Sequence, residues 1–234
     1  MSPPSPVVSR PPRRAPRLAA AVGVALAASA CGRAGALGQA TMFKECSPAD
    51  AGCRRAAPAA PLAVGSRLRP DVQVDVAGSV MPVIALASSR PEVVDVVDGA
   101  MIARAPGMAA VVIATPDGTV IDFQHLWVAD ADRLVVERPS PLGGGAEEIV
   151  GPLELVAGES VLLSSTLLGG AQRLAGDGGA TWTATACDGC GEVVALLQDG
   201  VAGRRRVVAR APGTARVTVT ASGVTATVDV AVVP

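Results

Sequence analysis

The chain has 234 residues, half of them hydrophobic, with a formal net charge of −1 and a single histidine. That length accommodates one large or two small domains, the charge balance excludes a generally basic nucleic-acid binder, and a lone histidine removes most catalytic and metal chemistries. Thirty-five valines cannot stay solvated, and glycine plus proline (about a fifth of the chain) falls short of a low-complexity composition, so most of the chain should fold.

The first thirty residues read as an address. Arg10, Arg13, Arg14 and Arg17 precede an apolar run from Leu18 to Ala30, shorter than the roughly twenty residues of a membrane span. This is the pattern of a secretory signal peptide over residues 1–30. Its end, Ala28-Ser29-Ala30-Cys31-Gly32, admits two readings. Ala28 and Ala30 satisfy the small-x-small rule of an ordinary signal peptidase. The same stretch resembles a bacterial lipobox with Cys31 as the acylated residue, though Ala28 stands where leucine is usual. Cysteine arithmetic favours the lipobox: four of the five cysteines form close pairs, Cys46 with Cys53 and Cys187 with Cys190, and Cys31 is left over. The expectation is a membrane partner reached through an N-terminal lipid anchor. The absence of aspartate after Cys31 points toward the outer membrane, and a soluble periplasmic or secreted product is the alternative.

Residues 31–58 are rich in glycine, alanine and proline with no sustained apolar period, which predicts a flexible tether. Cys46 and Cys53 would close a short structural disulfide within it.

Past residue 60 strict alternation takes over. Asp71–Val76, Arg216–Thr220 and Thr225–Val230 each put valines on one face and polar groups on the other, and β-branched residues suit a half-buried pleated surface. Five Asp-Gly pairs, at 98, 117, 177, 188 and 199, punctuate these runs as hairpin turns do. No convincing helical period follows residue 31. The fold class is all-β.

An internal repeat divides the strands into two copies. Glu92–Gly99 leads into Ala103-Arg104-Ala105-Pro106-Gly107, and Glu192–Gly200 leads into Ala209-Arg210-Ala211-Pro212-Gly213. The second copy carries extra residues at Val201–Arg206, where a hairpin loop lengthens. Upstream, Leu62–Ser66 corresponds to Leu155–Ser160. The order of these motifs, with Trp182–Thr185 and Val217–Thr220 in the second copy and Ser88–Val93 and Ala103–Ala109 in the first, resembles the bacterial Ig-like domain, group 2. Copy one departs at Leu86 and Met108, where the family has tryptophan and threonine. The resemblance implies two tandem Ig-like β-sandwich domains, residues 59–130 and 131–234, strung as beads, and it supplies no catalytic residues. Pro139–Gly145 is a composition break, and Leu134–Arg138 just before it reads as a first strand of copy two.

Few residues suggest chemistry. Alternation places His125 with Ile121, Phe123 and Trp127 on or at the rim of an apolar face, where a structural histidine is the plain reading; no Gly-x-Ser-x-Gly elbow accompanies it. Trp182 reads as a core anchor between sheets. Cys187-Asp188-Gly189-Cys190 reads as a disulfide at a turn, since half a zinc site has no second ligand pair. Arg204-Arg205-Arg206 reads as a solvated hairpin. No catalytic residue, metal or cofactor is expected, and the protein is expected not to be an enzyme. The favoured function is a non-catalytic envelope lipoprotein serving surface, adhesion or spacer roles toward an unknown protein or glycan partner. The alternative is a carbohydrate- or peptide-binding accessory module, and a hydrolase centred on His125 comes last. Once Trp127 and Trp182 are placed in cores, few aromatics remain for sugar stacking.

Overall fold

The alternation builds nineteen strands in a computed structural model that describes residues 38–44, 60–76, 82–140, 145–201 and 203–234. The signal peptide, Cys31 and the Cys46–Cys53 pair lie outside these residues. Among the described residues there is no helix.

The first domain contains β1 (Gly38–Lys44), β2 (Leu62–Ala63), β3 (Arg67–Leu68), β4 (Pro70–Val76), β5 (Ala85–Ser88), β6 (Val94–Val97), β7 (Ala100–Ala103), β8 (Gly107–Ala114) and β9 (Val120–Ala129). One sheet has the order β2-β9-β8-β5; β3-β7-β6 and the ribbon β1-β4 supply the opposing side. Met42, Val94, Met101, Val111 and Ile113 are closed from solvent in the core between them. The second domain contains β10 (Arg133–Pro139), β11 (Ala146–Glu148), β12 (Leu153–Val156), β13 (Ser160–Gly169), β14 (Gln172–Arg173), β15 (Thr181–Ala186), β16 (Val194–Gln198), β17 (Arg204–Ala209), β18 (Gly213–Ala221) and β19 (Val224–Val233). Its sheets run β12-β19-β18-β15 and β11-β10-β13-β17-β16, with β14 on β13. Leu163, Val207, Val217 and Val219 fill the space between. Both domains are β-sandwiches: each sheet is apolar on one face and buries it against the other.

The repeat holds bond by bond. The opening strand pairs parallel to the closing one in each domain, Leu62 opposite Val128 and Leu155 opposite Val232. Gly65 N–H donates to Ala103 O at 2.9 Å, as Gly158 N–H does to Ala209 O at 3.0 Å. Arg104 and Arg210 donate at 2.8 Å to Val93 O and Val193 O. The Ala-Pro-Gly corner turns on Gly107 and Gly213, with φ of 143° and 146°. A Cβ at either would press on the valine beneath, 3.3 Å from Val93 Cγ2 or 3.0 Å from Val193 Cγ2.

Two expectations need correction, on the tether and on the Asp-Gly turns, and one strand reading holds. Gly38–Lys44, assigned to the tether, is a strand paired with β4, and Met42 is fully buried. It is the first domain's counterpart of β10, which pairs in the same way with β13. Small residues with no visible period hid it. Leu134–Arg138, read as a first strand of copy two, lies in β10, so the composition break that begins at Pro139 is inside the second domain, and only Asp130–Asp132 separate β9 from β10. Of the five Asp-Gly pairs, those at 98, 117 and 199 lie in connections between paired strands. Asp188-Gly189 joins strands of opposite sheets.

The pair at Asp177-Gly178 lies where the domains meet. Ala63 N–H donates to Ala175 O at 2.9 Å, and Ala175 N–H donates to Pro61 O at 2.7 Å. Ser66, fully buried, accepts the Gly178 N–H at 3.0 Å. In the β18–β19 turn Ser222, held at φ 49°, donates its hydroxyl to Val64 O while its N–H donates to Gly178 O. A Cβ on Gly178 would lie 2.2 Å from Ser222 Oγ, so glycine is required for this approach. The beads are stitched directly to one another.

Candidate functional site

β9 carries the molecule's most exposed aromatics. Leu126 and Val128 point into the first domain's core, so Phe123, His125 and Trp127 share the outer face. Phe123 is 56% exposed and Trp127 60%. The Phe123 and His125 rings meet edge to face, with centroids 5.3 Å apart. On β8, Met108 stands opposite Trp127, Ala110 opposite His125 and Val112 opposite Phe123. The result is a band of apolar side chains on the solvent side of a sheet.

This overturns the placement of His125 and Trp127 at the core. The alternation argument ran from Ile121, which is indeed buried. Ile113 pairs with Asp122 and Ala114 with Val120, so Ile121 is an extra residue in a β-bulge. A bulge inverts the parity of everything beyond it. Asp122, beside the bulge, accepts from its neighbour Phe123 N–H at 2.8 Å and from Ala40 N–H at 2.9 Å, tying β1 to β9.

The second domain shows what this face looks like when it is merely solvated. By register, Thr214 and Ala231 occupy the Met108 and Trp127 positions, Arg216 and Asp229 those of Ala110 and His125, and Thr218 and Thr227 those of Val112 and Phe123. Arg216 Nε donates to Asp229 Oδ1 at 2.8 Å. That hydrogen bond, with the guanidinium charge, holds the Asp229 carboxyl below its ordinary range.

Other candidates resolve into structure. Cys187 and Cys190 are disulfide-bonded in the connection from β15 to β16. Trp182 packs half-buried against the second core, as its motif suggested. Glu137 is buried, but Thr166 donates to it at 2.6 Å and Arg173 holds both its oxygens, so the charge is satisfied in place. Arg204 is ion-paired with Asp199 at 2.7 Å rather than freely solvated. Among the described residues no three His, Cys, Asp or Glu side chains gather as metal ligands.

No protein-family model matches the chain, and no curated protein does. Solved structures do. Domains 4 and 5 of the S-layer protein SbsC match at 15% identity over 85% of this chain and 99% of that one, with a TM-score of 0.31. A titin fragment matches at 14% identity over 74% of this chain and 95% of that one, TM-score 0.29. Extracellular domains 3–5 of Drosophila OTK match at 14% identity over 74% of this chain and 58% of that one, TM-score 0.25.

Proposed function

We propose that the chain is an exported, non-catalytic interaction module, held at the cell envelope by acylation of Cys31. In this reading the first domain engages a partner through the Met108–Phe123–Trp127 face, and the second is its rigid mount. One observation carries it: two aromatic rings and a methionine face solvent in the first domain where the second has threonine, alanine and an ion pair. Binding energy at interfaces concentrates in a few residues, among which tryptophan is enriched, and contiguous exposed apolar patches mark interaction sites where singly scattered apolar residues do not.

The test is a photo-crosslinker placed at position 110, on the face but outside the rings, in intact cells. A defined product that disappears in Trp127→Ala and Phe123→Thr supports the reading. Identical labelling in wild type and both variants overturns it. For the anchor, metabolic labelling with a fatty acid should mark the protein and Cys31→Ser should abolish the mark. An unlabelled, soluble wild type would replace the lipoprotein with a soluble exported protein.

The exposed rings also favour a second reading, carbohydrate binding, because the shortage of free aromatics that argued against it no longer applies. Specific glycan-array hits lost in Trp127→Ala would select it.

A further inference from the structure

A cleft of about 450 Å³ opens in the first domain between Pro70 and Val72 of β4, Ile84 and Leu86 at β5, and Val96 and Asp98 of the β6–β7 hairpin. The second domain has the same elements, and two differences fill the corresponding space there. Leu86, opposite Ile113, takes the register position that Trp182 holds opposite Val219. Both side chains pack on their cores, but leucine is smaller than the indole of Trp182, and Leu86 lines the cleft. The hairpins also differ. Val97 pairs with Ala100 across a two-residue Asp98-Gly99 turn, while the second domain closes its ladder at Gln198–Arg205 and carries a longer loop beyond. There the β13–β17 pairing runs one residue past Ser164–Arg204, with Ser165 N–H donating to Gly203 O at 2.9 Å. Ser165 is the counterpart of Val72, which lines the cleft together with the short Asp98-Gly99 turn.

The volume falls in the range of small-molecule sites, and the open cleft mixes apolar side chains with polar surface that can fix orientation. Here the polar group is Asp98, exposed at the mouth. We propose that this cleft binds a small aromatic molecule bearing a cationic or N–H donor group. The ring takes the place the indole of Trp182 takes in the second domain, against Leu86 and Val96, and the donor meets the Asp98 carboxylate. The site is on a different element pair from the aromatic face and stands independently of it.

Indole and tryptamine serve as probes, titrated into the isotope-labelled mature chain and followed by NMR. Saturable shifts at the amides of Leu86, Val96 and Gly99, with none at Trp182 or Leu196, are expected. Tryptamine should bind more tightly than indole, and Asp98→Asn should weaken tryptamine by roughly two- to fivefold, the worth of an exposed ion pair, while leaving indole unchanged. Leu86→Trp fills the cleft from within and should abolish binding. Val96→Trp, on the facing wall, should do the same from another strand, which covers the case of a misfolded Leu86→Trp. Absence of saturable shifts in the wild type, or binding unchanged in a folded Leu86→Trp or Val96→Trp, overturns the proposal.

Discussion

The two domains share a hydrogen-bond ladder and differ in what they hang on it. At equivalent positions of the closing hairpin the first domain displays Met108, Phe123 and Trp127 and the second Thr214, Thr227 and Ala231. Where the second plugs its sandwich with Trp182, the first has Leu86 and a cleft. The inward valines are interchangeable because any apolar residue of similar volume satisfies a sandwich core. Outward and edge positions answer to whatever lies outside the fold. A duplicated scaffold thus acts as its own control: features common to both copies hold the fold, and features found in only one are where function is to be sought.

The largest expected effect tests whether the first domain has a counterpart of β10. Met42 is fully buried on β1, so Met42→Ala should cost the first domain about 2–5 kcal/mol, read as an earlier transition in chemical denaturation of the full chain. A change near zero would return residues 38–44 to the tether and leave the first domain without a counterpart of β10.

Next is the joint, which belongs to neither copy alone. Gly178→Ala combines a φ of 57° with a Cβ 2.2 Å from Ser222 Oγ and 2.5 Å from Leu167 Cδ1, and should cost about 1–3 kcal/mol. Gly170→Ala has a nearly identical φ of 60° but open space around it, so it isolates the backbone strain. The excess of the first over the second measures the clash. Small-angle scattering should show the domains loosening only in Gly178→Ala.

Reducing Cys187–Cys190 comes third. The bridge closes a loop of sequence separation 3, so it should contribute less than the roughly 3 kcal/mol of a fifteen-residue loop. The second domain should stay folded in reductant, as its valine core requires. Loss of its cooperative transition would make the bridge essential.

The sandwich class and the repeat were legible because both rest on local rules: period-two valines and turn residues in fixed order. The aromatic face was not. Its residues were visible, but one bulge at Ile121 inverted their direction, and a bulge is set by pairing with β8 rather than by the residues of β9. The joint was equally hidden. Asp177-Gly178 spells a turn, and only tertiary contact with Ser66 and Ser222 reveals its use. The cleft was half legible, since Leu86 stands out against tryptophan in the repeat, but its size depends on how the short Asp98-Gly99 turn stands off β4, which is set by tertiary packing.

The faces themselves can be exchanged. Met108→Thr, Phe123→Thr and Trp127→Ala install the second domain's residues on the first. All three sites are exposed, so each change should move stability by no more than about 0.5 kcal/mol by thermal melting while the crosslinked product at position 110 is lost. A large drop in melting temperature would mean that the rings stabilise the first domain itself, and the face would lose its claim to a partner.

The smallest effect lies on the second domain's version of that face and asks whether its charges act as a pair. Asp229 accepts from Arg216 Nε at 2.8 Å, and both side chains are more than half exposed. The hydrogen bond is the main cause of the lowered carboxyl pKa, and the guanidinium charge adds to it. Because the folded chain binds this proton less readily than the unfolded chain, the pair's contribution is present above the ordinary aspartate value of 3.8 and is lost as pH falls through the lowered folded value. An NMR titration of the Asp229 carboxyl carbon at low salt should therefore find its midpoint below 3.8, and Arg216→Ala should return it toward that value. Added salt should shrink the shift, since exposed charges are screened. Ala110 stands where Arg216 does, so the first domain has no such pair across this register. If Asp229 titrates at the ordinary value even at low salt, the two side chains do not hold one geometry. The second face would then be plain solvated threonine and charge, and the contrast with the aromatic face would rest on side-chain size and polarity alone.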